Sequence, residues 1–263
     1  MASNLSRKEI YEKHFHIGKT FQTYFTSDSH CVDDTLMRMV QNSFNFFASG
    51  AVKGDTMIQY GGAFIIPLLY SACDLFKNII YIDFLDGCCQ SARKWINKEP
   101  DAIDWSSCSK FLCQPEEDRE KVIEKEEKMR SLIKDVIKAE LSDDYPVAPK
   151  LSSLADCLLT AYCLEIFCHN KESFQIALKQ MALLIKLEGC LLINMLLDCT
   201  FFKVEKFKFP VLCLSEEYVR QAVTNVGFEI KHCNISPRSK PTLYSEFDYS
   251  GCLLLVAYKK RNV

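Results

Sequence analysis

With 263 residues, the chain is long enough to bury the core of one α/β domain, and its 32 Lys+Arg nearly balance its 34 Asp+Glu. That balance gives no electrostatic reason to expect a nucleic acid or an anionic membrane as partner. No N-terminal apolar run of signal-peptide length and no membrane-spanning window is present, so the expectation is a soluble, cytoplasmic protein. Fourteen cysteines face only five histidines, and no CxxC pair occurs. Several cysteines (Cys157, Cys163, Cys168, Cys190, Cys213, Cys252) lie in or beside apolar runs, where a thiol serves as a small hydrophobe. Reduced thiols and no metal are expected.

In chain order, Met57 and Ile58 lead into Tyr60-Gly61-Gly62-Ala63, then a helical run, then the apolar strand Ile79 to Ile82 ending on Asp83. This is how a nucleotide-binding β-α-β unit is written: glycines let backbone approach a ligand, and the acid after the second strand takes ribose hydroxyls. A helix is expected from Asp86 to Lys98, stopped at Glu99-Pro100. The spacing from Glu116 to Lys138 predicts one long charged helix with a sparse apolar stripe of Val122, Met129, Leu132, Ile133 and Val136. A short third strand is expected over Ile137 to Leu141, and a buried fourth over Ala155 to Cys163. A helix from Lys171 to Ile185 and a fifth strand from Cys190 to Leu197 follow.

The aromatic, basic stretch at about 199–214 reads as an inserted hairpin. Ser215 then N-caps a helix that ends near Gly227. Phe228 to Ile235 and Cys252 to Tyr258 close the sheet as an antiparallel pair. The whole is expected to be one α/β domain, a doubly wound seven-stranded sheet with helices between mostly parallel strands. From pattern alone the ligand is a dinucleotide or S-adenosylmethionine. The missing third glycine of a GxGxxG loop disfavours the dinucleotide, and the reversed final pair favours the class I methyltransferase sheet.

Longer stretches carry a family likeness. They include Tyr11-Glu12-Lys13-His14-Phe15, Gly54-Asp55, Ser71-Ala72-Cys73, the run from Lys94 to Trp105, Glu124 to Arg130, Ala155 to Leu159, and Val256-Ala257. On these the chain resembles, over nearly its whole length, the small-molecule N-methyltransferases related to nicotinamide N-methyltransferase, with the indolethylamine/thioether and phenylethanolamine enzymes. The likeness is greatest to the nicotinamide and indolethylamine members. It implies S-adenosylmethionine as cofactor, a small-molecule methyl acceptor, a monomer, and an N-terminal helical lid over about residues 1–50.

Carried over residue by residue, the resemblance places Asp83 on the cofactor ribose, with Phe84 beside it, and Glu140 and Leu141 at the adenine. Gly61, Gly62, Ala63 and Ala161 fall around the glycine turn, and Tyr24 and Phe25 in the segment folding over the cofactor. Several positions depart from the family. Gln59 replaces an aspartate, Ala63 a glycine and Cys88 a cofactor-contacting asparagine, while Thr20 stands for a tyrosine. On the acceptor side, where Thr20 and Leu164 are also placed, Met195 replaces an aspartate, Phe202 a tyrosine and Pro210-Val211 two serines. Such a pocket lacks a carboxamide clamp, so nicotinamide is expected to be a poor substrate.

Methyl transfer from a sulfonium to a lone pair demands orientation and dryness rather than a nucleophilic side chain. For an amine that is protonated at neutral pH a base would help, and Glu165, just after the fourth strand, is the candidate catalytic residue. Two expectations stand side by side: a methyltransferase for a small amine, a pyridine- or indole-type ring, or a thioether; or a catalytically impaired relative acting as a binding or regulatory protein.

Overall fold

A computed structural model describes residues 6–24, 34–62, 66–70, 72–105, 119–142, 147, 151, 153–238 and 247–262. Three N-terminal helices, α1 (Arg7–His14), α2 (Ile17–Tyr24) and α3 (Asp34–Ala48), precede the sheet. A capping box starts α1: the Glu9 amide donates to Ser6 Oγ, and the Ser6 amide donates to the Glu9 carboxylate.

Seven strands form one sheet in the order β3-β2-β1-β4-β5-β9-β8. They are β1 (Gly54–Tyr60), β2 (Phe76–Asp83), β3 (Ile133–Lys138), β4 (Ala155–Ala161), β5 (Ile185–Leu197), β8 (Phe228–Pro237) and β9 (Gly251–Lys259). The first five run parallel, and β9 lies antiparallel between β5 and β8. Central strands covered on both faces are nearly all apolar, and Met57, Ile58 and Tyr60 of β1 are completely buried. One core cluster lies on each face. The remaining strands, β6 (Phe201–Val204) and β7 (Phe207–Pro210), make a separate hairpin.

Helices α4 (Asp86–Ile96), α5 (Arg119–Leu132), α6 (Leu164–Phe167), α7 (Lys171–Leu184) and α8 (Glu216–Asn225) complete the described elements. Ser215 caps α8, its Oγ accepting from the Tyr218 amide. Trp95 and Trp105 are buried in the core rather than at a ligand cavity: Arg130 lies 4.0 Å over the Trp95 ring, and Phe21 packs edge-on against Trp105.

Several sequence expectations are corrected. The charged helix stops at Leu132, and β3 occupies Ile133–Lys138 rather than 137–141. β-Branched Ile133, Val136 and Ile137 allow either state, and pairing of Ile133 with Ile79 and of Ile137 with Ile82 selects the strand. β4 ends at Ala161 because Tyr162 turns the chain with φ +48°. β5 begins five residues earlier than its most apolar run, at Ile185 opposite Ala155, with an irregular register between Ala155 and Cys157. The helical run expected after the glycine turn consists, where described, of two 3-10 turns at Ile66–Leu69 and Ala72–Asp74.

At the opposite end of β1, Asp156 ties three strands together. It accepts from the Asp55 amide at 2.8 Å, the Thr56 amide at 3.0 Å and Lys186 Nζ at 2.6 Å. A Cβ on Gly54 would stand 2.4 Å from the Asp156 side chain, so a glycine is required there. This knot fixes where β1 starts, and hence where its glycine turn ends up.

Candidate active site

Chain direction reverses its lateral progress between β1, whose next strand lies on one side, and β4 on the other. Ligands of open α/β sheets bind outside the carboxyl ends of the strands at that switch point. Here those ends carry Gly61-Gly62 after β1, Asp83 closing β2, and Cys163 to Glu165 after β4. Above them lies a cavity with about 930 Å³ of empty space, including its open mouth.

The glycine turn is built for close backbone approach. Gly61 and Gly62 have φ +67° and +77°, a region that side chains with a Cβ seldom occupy. A Cβ on Gly61 would meet Cys163 Sγ at 2.1 Å, and one on Gly62 the Ala161 carbonyl oxygen at 2.9 Å. Beneath the turn, Gln59 is fully buried; its Nε2 donates to the Gly61 carbonyl at 3.4 Å, while Oε1 has no partner.

Asp83 lines the cavity and is 2 % exposed. Tyr81 Oη donates to its Oδ2 at 2.6 Å, the Leu85 amide donates to Oδ1 at 2.9 Å, and the Cys88 thiol hydrogen-bonds to the same carboxylate. Burial raises its pKa to about 6, and those donors hold it from going higher.

Glu165 lines the other part of the cavity and is 1 % exposed. The Leu196 amide donates to Oε1 at 3.0 Å, whereas Oε2 is buried without a partner. Burial raises its pKa to about 7. The wall around Glu165 is apolar. Tyr11 and Phe202 face each other at 6.2 Å between ring centroids, Phe209 stacks behind Phe202 at 5.2 Å, and Leu196 and Val211 add aliphatic surface. The tyrosine hydroxyls at this wall are occupied: Tyr11 Oη donates to the Pro210 carbonyl at 2.8 Å, and Tyr24 Oη to that of Lys203.

Of the residues singled out in the sequence, Thr20, Tyr24, Gly62, Asp83, Phe84 and Cys88 line this one cavity, with Glu165 and Phe202. Gly61 is the first residue of the turn, and Ala161 packs directly against Gly62. Leu164 and Met195 are buried in the core, and their neighbours Glu165 and Leu196 face the cavity instead. Glu140 follows β3 and pairs with Lys8 of α1, while Leu141 is buried in the core. Phe25 and Ala63 lie outside the described residues. Sequence reasoning assigned no site role to Tyr11, Phe15, Cys163 or Phe247, which also line the cavity. Tyr11 and Phe15 stood within a family landmark, and that was their only signal. Phe247 is brought in by a bridge to Phe202 across 45 positions of sequence, which no local pattern announces.

The site's donor set contains no metal-binding cluster: among the described residues no group of three or more His, Cys, Asp or Glu could hold an ion. Nor, among them, is any helix long and apolar enough to cross a membrane.

Comparison with known proteins agrees with this geometry. A magnesium protoporphyrin IX methyltransferase from Synechocystis, solved with bound SAM, matches with a TM-score of 0.61 at 12 % identity, over 99 % of this chain and 100 % of its own; that likeness concerns the fold. Nicotinamide N-methyltransferase of Sus scrofa is 33 % identical over 241 residues, 91 % of either chain. Indolethylamine N-methyltransferase of Oryctolagus cuniculus is 32 % identical over 262 residues, 99 % of either chain. The profile of the NNMT/PNMT/TEMT family matches residues 3–260. The seven-stranded sheet with its reversed final pair, the cavity at its switch point and these sequence matches together show that the chain belongs to the NNMT/PNMT/TEMT family of S-adenosylmethionine-dependent methyltransferases.

Proposed function

We propose that this protein methylates the nitrogen of a small amine carried on an apolar or aromatic body, holding cofactor and acceptor in the one cavity. The observation that carries this reading is Glu165 Oε2, a buried carboxylate oxygen with no partner, set in a wall that otherwise offers almost no polar atom. Leaving such an atom unsatisfied costs free energy, so its retention points to a ligand that donates to it. An amine N–H does so; a thioether cannot, and an unsubstituted pyridine nitrogen has no hydrogen to give.

The residues present fit S-adenosylmethionine. Asp83 would take the ribose hydroxyls, and the Gly61-Gly62 turn leaves backbone accessible where a Cβ would fill the space. Phe84 and Cys88 would flank the adenosyl group, with Ala161 beneath it. Glu140 and Leu141 would serve the adenine, Thr20 and Tyr24 would cover the cofactor, and the family resemblance assigns Phe25 and Ala63 to the same cofactor site. The cofactor supplies a methyl group already activated on a sulfonium. Glu165, held at Oε1 by the Leu196 amide, orients the amine and takes a proton from it, for which a pKa near neutrality is suited. Phe202, with Tyr11 and Phe247, packs the acceptor body and keeps water out, while Leu164 and Met195 support the wall from behind.

In this reading the chain is a single domain. Of the N-terminal helices, α1 and α2 form a lid, while α3 packs against β9 of the sheet instead, and the hairpin inserted at about 199–214 supplies the lid's seat. Tyr11 and Tyr24 bond to the hairpin backbone, which supports that role. A place in the cytoplasm fits the free thiols of the described cysteines, and the chain is read as a monomer from the family resemblance. The alternative of a binding partner without chemistry has no observation in its favour.

Titration calorimetry with S-adenosylmethionine and S-adenosylhomocysteine tests the cofactor. Heat of binding from both is expected, and no heat at millimolar ligand overturns the enzyme reading. A methyl-transfer assay over arylalkylamines, pyridines and thioethers then tests the acceptor. Preferred turnover of an arylalkylamine is expected, and robust turnover of nicotinamide refutes the amine assignment.

A further inference from the structure

We infer that Tyr81, a buried residue of β2 that does not line the cavity, is a positioning residue for the cofactor, its hydroxyl setting both the orientation and the charge of Asp83. The inference rests on the reading of Asp83 as the ribose acid.

Tyr81 and Asp83 are two positions apart on one strand, so their side chains leave the sheet on the same face. Tyr81 is fully buried, and its ring belongs to the core cluster on that face. Gln59 on one side and Val136 on the other are its register partners. A buried tyrosine normally has its hydroxyl bonded, and here the partner is Asp83 Oδ2 at 2.6 Å, a short, charge-assisted contact. The Leu85 amide takes the other oxygen at 2.9 Å, so the carboxylate is clamped through both oxygens from inside the protein. An ionised carboxylate offers about four lone-pair sites. Tyr81 and the Leu85 amide fill one on each oxygen and the Cys88 thiol contacts the carboxylate as well, so what remains for a ribose hydroxyl is the side facing the cavity.

The charge of Asp83 depends on the same donors. The titratable groups facing it are Tyr60 from β1, Tyr81 from β2, Cys88 and Cys89 from α4, and Cys163 after β4. Every one is a neutral acid whose own ionisation is suppressed by burial, so none supplies a positive charge. Lys138, the register partner of Asp83 on β3, is exposed. With no cation set against it among the described residues, the buried carboxylate is kept ionised by hydrogen bonds, and the Tyr81 hydroxyl is the first of these. A protonated Asp83 would have lost the charge that makes it a strong acceptor for ribose.

Tyr81→Phe removes one oxygen and keeps the ring that packs the core, so the fold is retained. Two measurements on the full chain test the inference. Carboxyl carbon NMR of the ligand-free protein follows the titration of Asp83, its signal identified by its loss in Asp83→Asn. The midpoint is expected to rise by about one pH unit in Tyr81→Phe, the scale on which a hydrogen bond to an ionised carboxylate acts. Calorimetry with S-adenosylhomocysteine is expected to show an affinity loss of about sixfold at pH 6.5, about threefold from the smaller ionised fraction and about twofold from lost orientation, shrinking to about twofold at pH 8.5. A purely structural role would weaken binding equally at both pH values, and a competing role would tighten it; either result, or an unmoved carboxyl midpoint, overturns the inference. If the midpoint moves but the parent protein binds no S-adenosylhomocysteine, Tyr81 sets the charge of Asp83 as inferred and the ribose reading of Asp83 is what fails.

Discussion

Two buried carboxylates share the cavity, and they are finished differently. Asp83 at the end of β2 has donors on both oxygens from Tyr81 and Leu85, with Cys88 adding a third contact. Glu165 in the first turn of α6 has a donor on Oε1 only, and Oε2 is an orphan. Burial raises both pKa values, to about 6 and about 7. The donors on Asp83 keep an acid charged and fixed, which suits a ligand whose hydroxyls are the same in every turnover. The orphan on Glu165 leaves an acid that can gain or lose a proton near neutral pH, which suits an acceptor that must itself be deprotonated. In the proposed function, one end of the cavity serves constant binding and the other chemistry.

The largest test of this division is at Asp83. Asp83→Ala is expected to weaken S-adenosylhomocysteine binding by more than about 100-fold, because it removes a charged acceptor from the cofactor end of the cavity. Calorimetry reads the loss directly. Retained affinity would mean that the two acids do not divide the work.

Glu165→Gln is expected to leave that affinity within about threefold while lowering amine turnover by about 100-fold, in the range of a general-base contribution. The parent's rate should rise with pH through about 7, where Glu165 ionises, and this rise should vanish in the variant. A rate profile unchanged by the substitution removes Glu165 from the chemistry.

The same residue makes a third prediction, in stability. The folded-state pKa of Glu165 is raised from 4.5 to about 7, so between those values the native protein binds more protons than the unfolded chain. Stability therefore falls as pH rises from about 4.5 to about 7 and is lowest above that. The full linkage is at most about 3 kcal/mol for this group. Glu165→Gln removes the titration, so by urea unfolding it should be more stable than the parent by about 1–2 kcal/mol at pH 8, with the gain gone at pH 4.5. A gain independent of pH would contradict the burial of an ionising group.

How much of this was legible in the sequence divides along the same line. Strands β1, β2 and β4 were readable because parallel strands buried on both faces are written as apolar runs. Asp83 was readable because it ends such a run. β3 was misread because an edge strand with one buried side can carry a pattern that also suits a helix, and only its pairing with β2 decides. In the acceptor wall, Leu164 and Met195 stood one position from the residues that face the cavity, Glu165 and Leu196. Met195 and Leu196 lie in β5, where a shift of one residue exchanges the two faces, and Leu164 and Glu165 open α6, where neighbours point about 100° apart; no composition rule fixes either choice. Phe247 and Tyr11 arrive from the two ends of the chain, so their meeting at the wall is a property of topology alone.

The smallest predicted effect concerns α1 and α2, the proposed lid over the cavity. Lys8 of α1 pairs with Glu140, the acid placed at the adenine, and this pair is partly exposed. Such pairs contribute at most about 1 kcal/mol. The lid has other fastenings: Arg7 Nη1 donates to the Cys168 carbonyl at 2.8 Å, Tyr11 and Tyr24 bond to the hairpin backbone, and Lys19 pairs with Glu205 at 2.8 Å. Lys8→Ala should therefore speed S-adenosylhomocysteine release only about two- to threefold, measured by stopped-flow displacement, with the difference fading in high salt. A far larger effect would shift the weight of cofactor binding from the clamped carboxylate of Asp83 to Glu140 and the lid above it. The cofactor end of the cavity would then be held by a movable helix rather than by the sheet.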